Sequence, residues 1–356
     1  MERRLVVWPG WLGGPDDAPR PEWDSPAGEW LAQAQVERLV APEQASRTPE
    51  VAWFGLEPHL YTTVDGPLAV GAMGKDFPGP VGARDTLFAL DWMTLDADNQ
   101  LALMDAPTGE AWQALTAALK PLGTPRLTLA AVRGHCALAW HQGSLDLGVL
   151  APAKAAGKSW QSALPQGDGE PMLRRFIDDG INILMEHEIN RRRLDEGHEP
   201  WLVLWPWGPG FRPDWPSFGL PFGSPLGVVT KERRVRGIAH WLGVPEQALD
   251  CRLEVMPPPP DEPEEREYKW REWAEANLDP RAGKAGPRIS VVHTTPDGKP
   301  GEVVGLMAQG GGDLRAGNGL PFDARALDER RAPRTGMVQA VRQALRAPLG
   351  STDAHA

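Results

Sequence analysis

Glycine and proline interrupt this chain too often for a helical bundle. Its 39 Gly and 37 Pro make up 76 of 356 residues, about a fifth, and each tends to turn or break the backbone where it stands. The glycines follow no three-residue period, which excludes a collagen-like rod. Between the interruptions, short apolar runs alternate with amphipathic stretches, the pattern of a loop-rich α/β protein. With 41% hydrophobic and 24% charged residues, the composition is that of a globular protein. The length allows two or three domains, or one large α/β unit carrying an insertion.

The formal net charge of -11 opposes binding to phosphate backbones and anionic membranes, so neither nucleic acid nor membrane is expected as a partner. No stretch approaches about 20 consecutive apolar residues. The first apolar run stops at Pro9, too early for a signal-peptide core. Cys136 and Cys251 are too few for a disulfide framework or a cysteine-rich zinc site and suit a reducing compartment. A soluble cytoplasmic protein is expected. One feature is unusual: 16 Trp stand against 2 Tyr.

The run from Leu5 to Trp8, ended by Pro9 and Gly10, predicts a buried strand opening into a loop at its carboxyl end, where ligands gather in open α/β sheets. Helical spacing of Trp30, Leu31, Ala34, Leu39 and Val40 predicts a helix over 25–40. Residues 87–104 and 127–140 predict strands, the latter folded into a hairpin at Gly134. A long helix is predicted over 170–194, with Leu173, Phe176, Ile177, Ile181 and Leu184 on one stripe and Gly197 closing it. A strand over 201–205 and a turn-rich loop follow. Further helices are expected at 232–242, 264–277 and 336–345, and strands at 289–292 and 302–307. Residues 257–266 predict an acidic, proline-rich linker and 349–356 a flexible tail.

Most familiar motifs fail. Gly157 to Ser159 suggest a phosphate-binding loop, but its first glycine would fall on Pro152. Gly208 and Gly210 lack the third glycine of a dinucleotide site. Glu186, His187 and Glu188 lack the spacing of two metal ligands one helical turn apart. His293, at the end of a strand, suits either a metal ligand or a hydrogen-bonded structural residue. Ser46 suits either a nucleophile or a loop cap.

Taken in order, several segments resemble the archaeal-type cofactor-independent phosphoglycerate mutases of the alkaline phosphatase superfamily. A-S-R-T-P-E-V-A-W-F-G-L-E-P (45–58) is similar to that family's nucleophile segment and puts Ser46 on the phosphorylated serine. Y-T-T-V-D-G-P-L-A-V-G-A-M-G (61–74), N-R-R-R (190–193) followed by L-W-P-W-G-P-G, V-R-G-I-A-H-W-L-G (235–243) and V-H-T-T-P (292–296) continue the series. The loop L-W-P-W-G-P-G is nearest to a divergent bacterial branch, the RpfE-type regulatory proteins. The resemblance implies an α/β fold with an alkaline-phosphatase-like, mostly parallel central sheet flanked by helices and a smaller inserted α+β cap. By this reading the core comprises 1–64 and 166–348, and the cap 65–165.

The family chemistry needs a phosphorylatable serine, two divalent metals and arginines that grip phosphate and carboxylate. Measured against it, this chain departs at most positions. The family's first metal-binding aspartate corresponds to Pro9, and the aspartate before the histidine to Val292. A further acid-and-histidine segment falls away near the proline-rich stretch. Arginine positions correspond to Asp65, Trp207 and Cys136, and a pair of acids to Val149 and Ala151. Ser46 remains as the nucleophile position, His293 as a metal-ligand position, and Asn190 and Arg236 as substrate-binding positions.

These replacements imply a divergent member that has lost metal-dependent phosphoserine chemistry and acts as a binding or regulatory protein. Its partner would be an unidentified small molecule or protein, and it would need no cofactor. The alternatives are an active phosphomutase interconverting 3-phosphoglycerate and 2-phosphoglycerate through phospho-Ser46, which would require Mn, Mg or Zn, and a structural interaction protein presenting exposed tryptophans.

Overall fold

The computed structural model of the chain describes residues 3–9, 25–40, 46–218, 225–278, 288–294, 303–310 and 334–345. In chain order, β1 (Arg3–Trp8), α1 (Pro26–Gln33) and β2 (Gln35–Val40) lead to a 3-10 helix, Pro49–Phe54. Next come α2 (Asp65–Met73), β3 (Thr86–Leu95), β4 (Leu101–Leu103), α3 (Gly109–Ala118), β5 (Leu127–Val132) and β6 (His135–Trp140). Short pieces follow: β7 (Leu147–Gly148), α4 (Pro152–Ala155), α5 (Trp160–Ala163) and β8 (Gln166–Gly167). Then α6 (Glu170–Glu186), α7 (Glu188–Asp195), β9 (Val203–Gly210), β10 (Leu226–Thr230), α8 (Arg233–Leu242) and β11 (Cys251–Val255). The chain closes with α9 (Pro263–Asn277), β12 (Arg288–Thr294), β13 (Val303–Gly310), β14 (Arg334–Gly336) and α10 (Met337–Leu345).

The chain divides into two compact units, one of Met1–Thr62 with Pro216–Ala356 and one of Thr63–Trp215. The first unit holds a seven-stranded sheet in the order β10-β11-β1-β12-β13-β2-β14. Among its described strands only β13 runs against the rest. Leu5, Val6, Val7 and Trp8 are all buried, as expected of a strand covered on both faces. On one face Val6, Trp8, Ile289 and Val291 pack with Trp30 of α1 and Trp270 of α9. On the other, Arg3 and Cys251 both point to the Leu345 carbonyl at the end of α10.

The second unit is built on an antiparallel sheet, β4-β3-β6-β5, with β9 added against β3. Phe88, Leu90, Trp92, Leu138 and Trp205 form its core with Phe176, Ile177 and Leu184 of α6. Helix α2 packs onto β3, β6 and β9. Its approach is close enough to require Gly66, where a Cβ would come within 2.0 Å of the Leu87 carbonyl and 2.5 Å of the Gly208 carbonyl.

Four expectations from the sequence change. Residues 25–40 are not one helix, because β2 begins at Gln35 and hydrogen-bonds to both β13 and β14. The helix over 170–194 is broken at His187, which has ψ 134° and caps α7 by accepting from the Ile189 N–H through Nδ1. The second unit runs to Trp215 rather than 165, because β9 pairs along β3 from Met93 to Leu87. Within 257–266, α9 has already begun at Pro263, a residue suited to a helix's first turn. Strands β10 and β11 and helix α2 lie where no element was predicted. The tail 349–356 lies outside the described residues.

Candidate functional site

Six of the seven described strands of the first unit point one way, so their carboxyl ends share one edge of the sheet, where α/β proteins place their chemistry. β1 and β12 lie side by side in parallel, with Val7 opposite Val292 and Trp8 opposite His293. Pro9 follows at the same level. The three positions the sequence singled out here therefore meet at the carboxyl ends of neighbouring strands. Two of them carry no metal-binding atom: Pro9 is half-buried and Val292 is buried. His293 is placed by its backbone register alone.

β2 runs in the same direction as β1 and β12, so its carboxyl end lies at this edge too, and Ser46 follows it in the chain. Ser46 is half-buried ahead of the Pro49–Phe54 turn. Its hydroxyl donates to the Pro58 carbonyl at 2.9 Å and accepts from the Thr48 N–H at 3.1 Å. Thr48, fully buried, donates through its own hydroxyl to the Tyr61 carbonyl at 2.6 Å. A serine becomes a nucleophile by giving its proton to a base, and a peptide carbonyl cannot take it. In this geometry the hydroxyl ties the loop together.

Helix α8 braces that loop. Arg234 donates to both carboxylate oxygens of Glu50, at 2.6 and 3.3 Å, and to the Arg47 carbonyl at 2.6 Å. Such forked pairing fixes orientation as well as charge. From α10, Arg342 donates to the Gly55 carbonyl at 2.6 Å, and Gly55 ends the turn with φ 69°, a conformation that favours glycine. Glu232, just before α8, is pushed above the ordinary carboxylate range by burial. Arg236 is 4% exposed. Its Nε donates to Glu246 at 3.0 Å, and one terminal nitrogen, Nη2, has no hydrogen-bond partner.

The remaining candidates belong to the second unit. Asp65 opens α2, and a Cβ built on Gly208 would lie 3.0 Å from the Asp65 Cβ, so α2 and the Trp207–Gly208 corner touch. Trp207 donates its indole N–H to Asp91 at 2.9 Å. Its neighbour Trp205, fully buried, donates to the Leu150 carbonyl, between Val149 and Ala151. Cys136 is buried inside the core and forms no disulfide. Asn190 is separate from this group, at the elbow of α6 and α7. It is fully buried, donates to the Leu184 and Trp201 carbonyls at 2.9 and 2.7 Å, and accepts from the Trp201 N–H at 3.0 Å. Each of its polar atoms is thereby engaged with backbone.

Two divalent metals would need acids and histidines gathered around the serine. Among the described residues no group of three or more His, Cys, Asp or Glu could hold a metal ion, and Pro9 and Val292 offer no donor. The described donor set does not fit such a centre. Sequence reasoning missed Arg234, Glu50, Asp91 and Glu232, which gain meaning only through contacts between distant segments.

No family model matches the chain. It is 28% identical over 198 residues to a probable 2,3-bisphosphoglycerate-independent phosphoglycerate mutase of Geobacter sulfurreducens, covering 54% of this chain and 49% of that one. It is 21% identical over 237 residues to a 2,3-bisphosphoglycerate-independent phosphoglycerate mutase of Methanothermobacter thermautotrophicus, covering 62% and 58%. The chain thus spans about half the length of the curated relatives it matches. Among solved structures it is similar to the PH0037 protein of Pyrococcus horikoshii, with TM-score 0.64, 16% identity and coverage of 98% and 99%. It is also similar to the cofactor-independent phosphoglycerate mutase of Thermoplasma acidophilum, with TM-score 0.57, 16% identity and coverage of 97% and 99%. The α/β fold is the one these structures share, and over about half of its length the chain is similar in sequence to 2,3-bisphosphoglycerate-independent phosphoglycerate mutases.

Proposed function

We propose that this distant relative of the cofactor-independent phosphoglycerate mutases uses their fold to bind a ligand or a protein, without metal-dependent phosphoserine chemistry, as a regulatory protein of the RpfE type. The observation that carries the reading is that Pro9, just past the end of β1, and Val292, near the end of the neighbouring β12, stand where the resemblance requires carboxylates. The committed hydroxyl of Ser46 supports it independently.

The second unit supports a change of ligand. Asp65 and Trp207 stand where the resemblance puts arginines, and Asp91 holds the Trp207 indole. A unit charge pair 4 Å apart is worth about 4 kcal/mol at an effective dielectric of 20, so exchanging an arginine for an aspartate turns an attraction of that order into a repulsion. A ligand less negative than phosphoglycerate, with an apolar surface for the Trp207 ring, fits these residues better.

The test combines metal analysis of the purified protein with turnover of 3-phosphoglycerate in the presence of Mn, Mg or Zn. The expected outcome is no stoichiometric metal and no turnover, together with no thermal stabilisation by phosphoglycerates. Stoichiometric metal with mutase activity that is lost in Ser46→Ala would overturn the proposal.

A further inference from the structure

A second constellation lies in the second unit and involves none of the residues discussed so far. Strand pairing assembles it. β3 and β6 pair with Thr86 opposite Trp140, so Asp85 and His141 extend that register by one residue each. β5 and β6 pair with Thr128 opposite Ala139, and the ladder continues where the His141 N–H donates to the Arg126 carbonyl at 2.9 Å. Three neighbouring strand ends therefore deliver a carboxylate, an imidazole and a hydroxyl to one place. Asp85 Oδ2 lies 2.9 Å from His141 Nδ1, and His141 Nε2 lies 2.7 Å from Thr128 Oγ1.

The carboxylate is held from several sides. It accepts from the Gly82 N–H at 2.8 Å and the Gln142 N–H at 3.1 Å as well as facing His141. Burial acts to raise the Asp85 carboxyl, but the hydrogen bonds from Gly82, His141 and Gln142 outweigh it and keep the group below its ordinary range. An ionised carboxylate only accepts, so the Nδ1 facing it carries the hydrogen. In the neutral imidazole Nε2 is then the lone-pair nitrogen, and the Thr128 hydroxyl donates to it. Gln142 reaches its place with φ 53°, in the left-handed region that a non-glycine residue enters at a cost. The Asp85 side chain is 8% exposed and that of His141 32%, so the orienting group is sheltered while the base reaches solvent.

We propose that Thr128, His141 and Asp85 form a hydroxyl-activating site, with Thr128 as the nucleophile towards small activated esters. Thr128 Oγ1 attacks the ester carbonyl carbon, forming a C–O bond, while its proton passes to His141 Nε2. The ester C–O bond then breaks, and the leaving alcohol takes the proton from Nε2. Water activated by the same nitrogen hydrolyses the acyl-threonine, releasing the carboxylic acid and restoring the hydroxyl. Asp85 is the positioning residue, holding the imidazole in the required tautomer.

The experiment treats the full chain with p-nitrophenyl acetate, follows p-nitrophenolate release and maps acetylated peptides by mass spectrometry. Acetyl is expected on Thr128 and absent from Thr128→Val. His141→Gln keeps a polar side chain but no base, and is expected to slow Thr128 acetylation about 100-fold with an unchanged circular dichroism spectrum. Thr128→Ser, a primary hydroxyl, is expected to react at least as fast as the native protein. If Thr128 is not acetylated, or is acetylated at the native rate in His141→Gln, the proposal fails.

Discussion

Replacing Asn190 tests whether this residue, a substrate-binding position by resemblance, acts here as a clamp. Its side chain joins Leu184 to both backbone groups of Trp201. In Asn190→Ala the Leu184 carbonyl keeps a partner, because it also accepts from the His187 N–H at 3.2 Å. The Trp201 N–H and carbonyl lose the side chain that satisfies them. Each buried group left unpaired costs about 1–3 kcal/mol, and partial hydration of half-buried Trp201 favours the lower part of that range. The expected loss is about 2–4 kcal/mol, read as a fall in the urea midpoint at constant slope.

Asn190→Asp sharpens the test, because it replaces the donating nitrogen with an oxygen facing two carbonyl oxygens. Only a protonated carboxyl can donate there, so the folded state raises this group's pKa above the unfolded value of about 3.9. The native-like stability of the variant is then present below the unfolded pKa and lost as pH rises through the folded one. Relative to the native protein, it should gain stability between pH 7 and pH 4.5. A loss below about 1 kcal/mol in Asn190→Ala, or a pH-independent gap for Asn190→Asp, would refute the clamp.

Three further outcomes are expected. Burial acts to raise Glu254, but its hydrogen bonds and ion pairs with Arg4 and Arg252 hold it below the ordinary range. The stability it contributes is therefore present above the unfolded pKa and lost as pH falls through the lower folded one, and Glu254→Ala, which leaves two largely buried guanidinium groups without this partner, should cost about 3–5 kcal/mol in chemical denaturation. Glu232 is raised by burial, so its contribution declines as pH rises through its folded pKa; Glu232→Gln should raise the melting temperature at neutral pH, with the gain vanishing in acid. Gly66→Ala puts a methyl group into the Leu87 and Gly208 carbonyls, and hydrogen exchange in α2 should accelerate as that helix is forced off the sheet.

How much was legible in the sequence depended on how local the determinants were. The hairpin at Gly134 and the strand ending at Pro9 were readable because a Gly or Pro breaker follows a short apolar run in each case. Residues 25–40 misled because Leu39 and Val40 continue the helical spacing of Trp30, Leu31 and Ala34, whereas the neighbours that make β2 a strand lie near residues 303–310 and 334–336. The break at His187 has no Gly or Pro to announce it, and its imidazole supplies the cap. At the candidate site, Ser46, Pro9, Val292 and His293 were found through an ordered resemblance. Arg234 and Glu50, 184 residues apart, were not, and neither were Thr128, His141 and Asp85, whose separations of 13 and 56 residues obey no motif. Contacts across strands leave no period to read.

Tryptophan stands beside the replaced positions in each of the two units. In the first unit Trp8 lies edge-on to Trp270 and Trp273 at 5.4 and 5.5 Å, while those two rings stack on each other, each such pair contributing about 0.5–1.5 kcal/mol beyond burial. This apolar cluster ends one residue before Pro9, where the resemblance places an acid. In the second unit Trp207, where the resemblance puts an arginine, donates its indole N–H to Asp91. A cluster of acids is tolerable when a metal neutralises it, and a cluster of arginines when an anion does. On the proposed function neither demand arises, because the protein holds neither metal nor phosphate there. On that proposal, replacements of both kinds are what a scaffold relieved of phosphoryl transfer would accumulate.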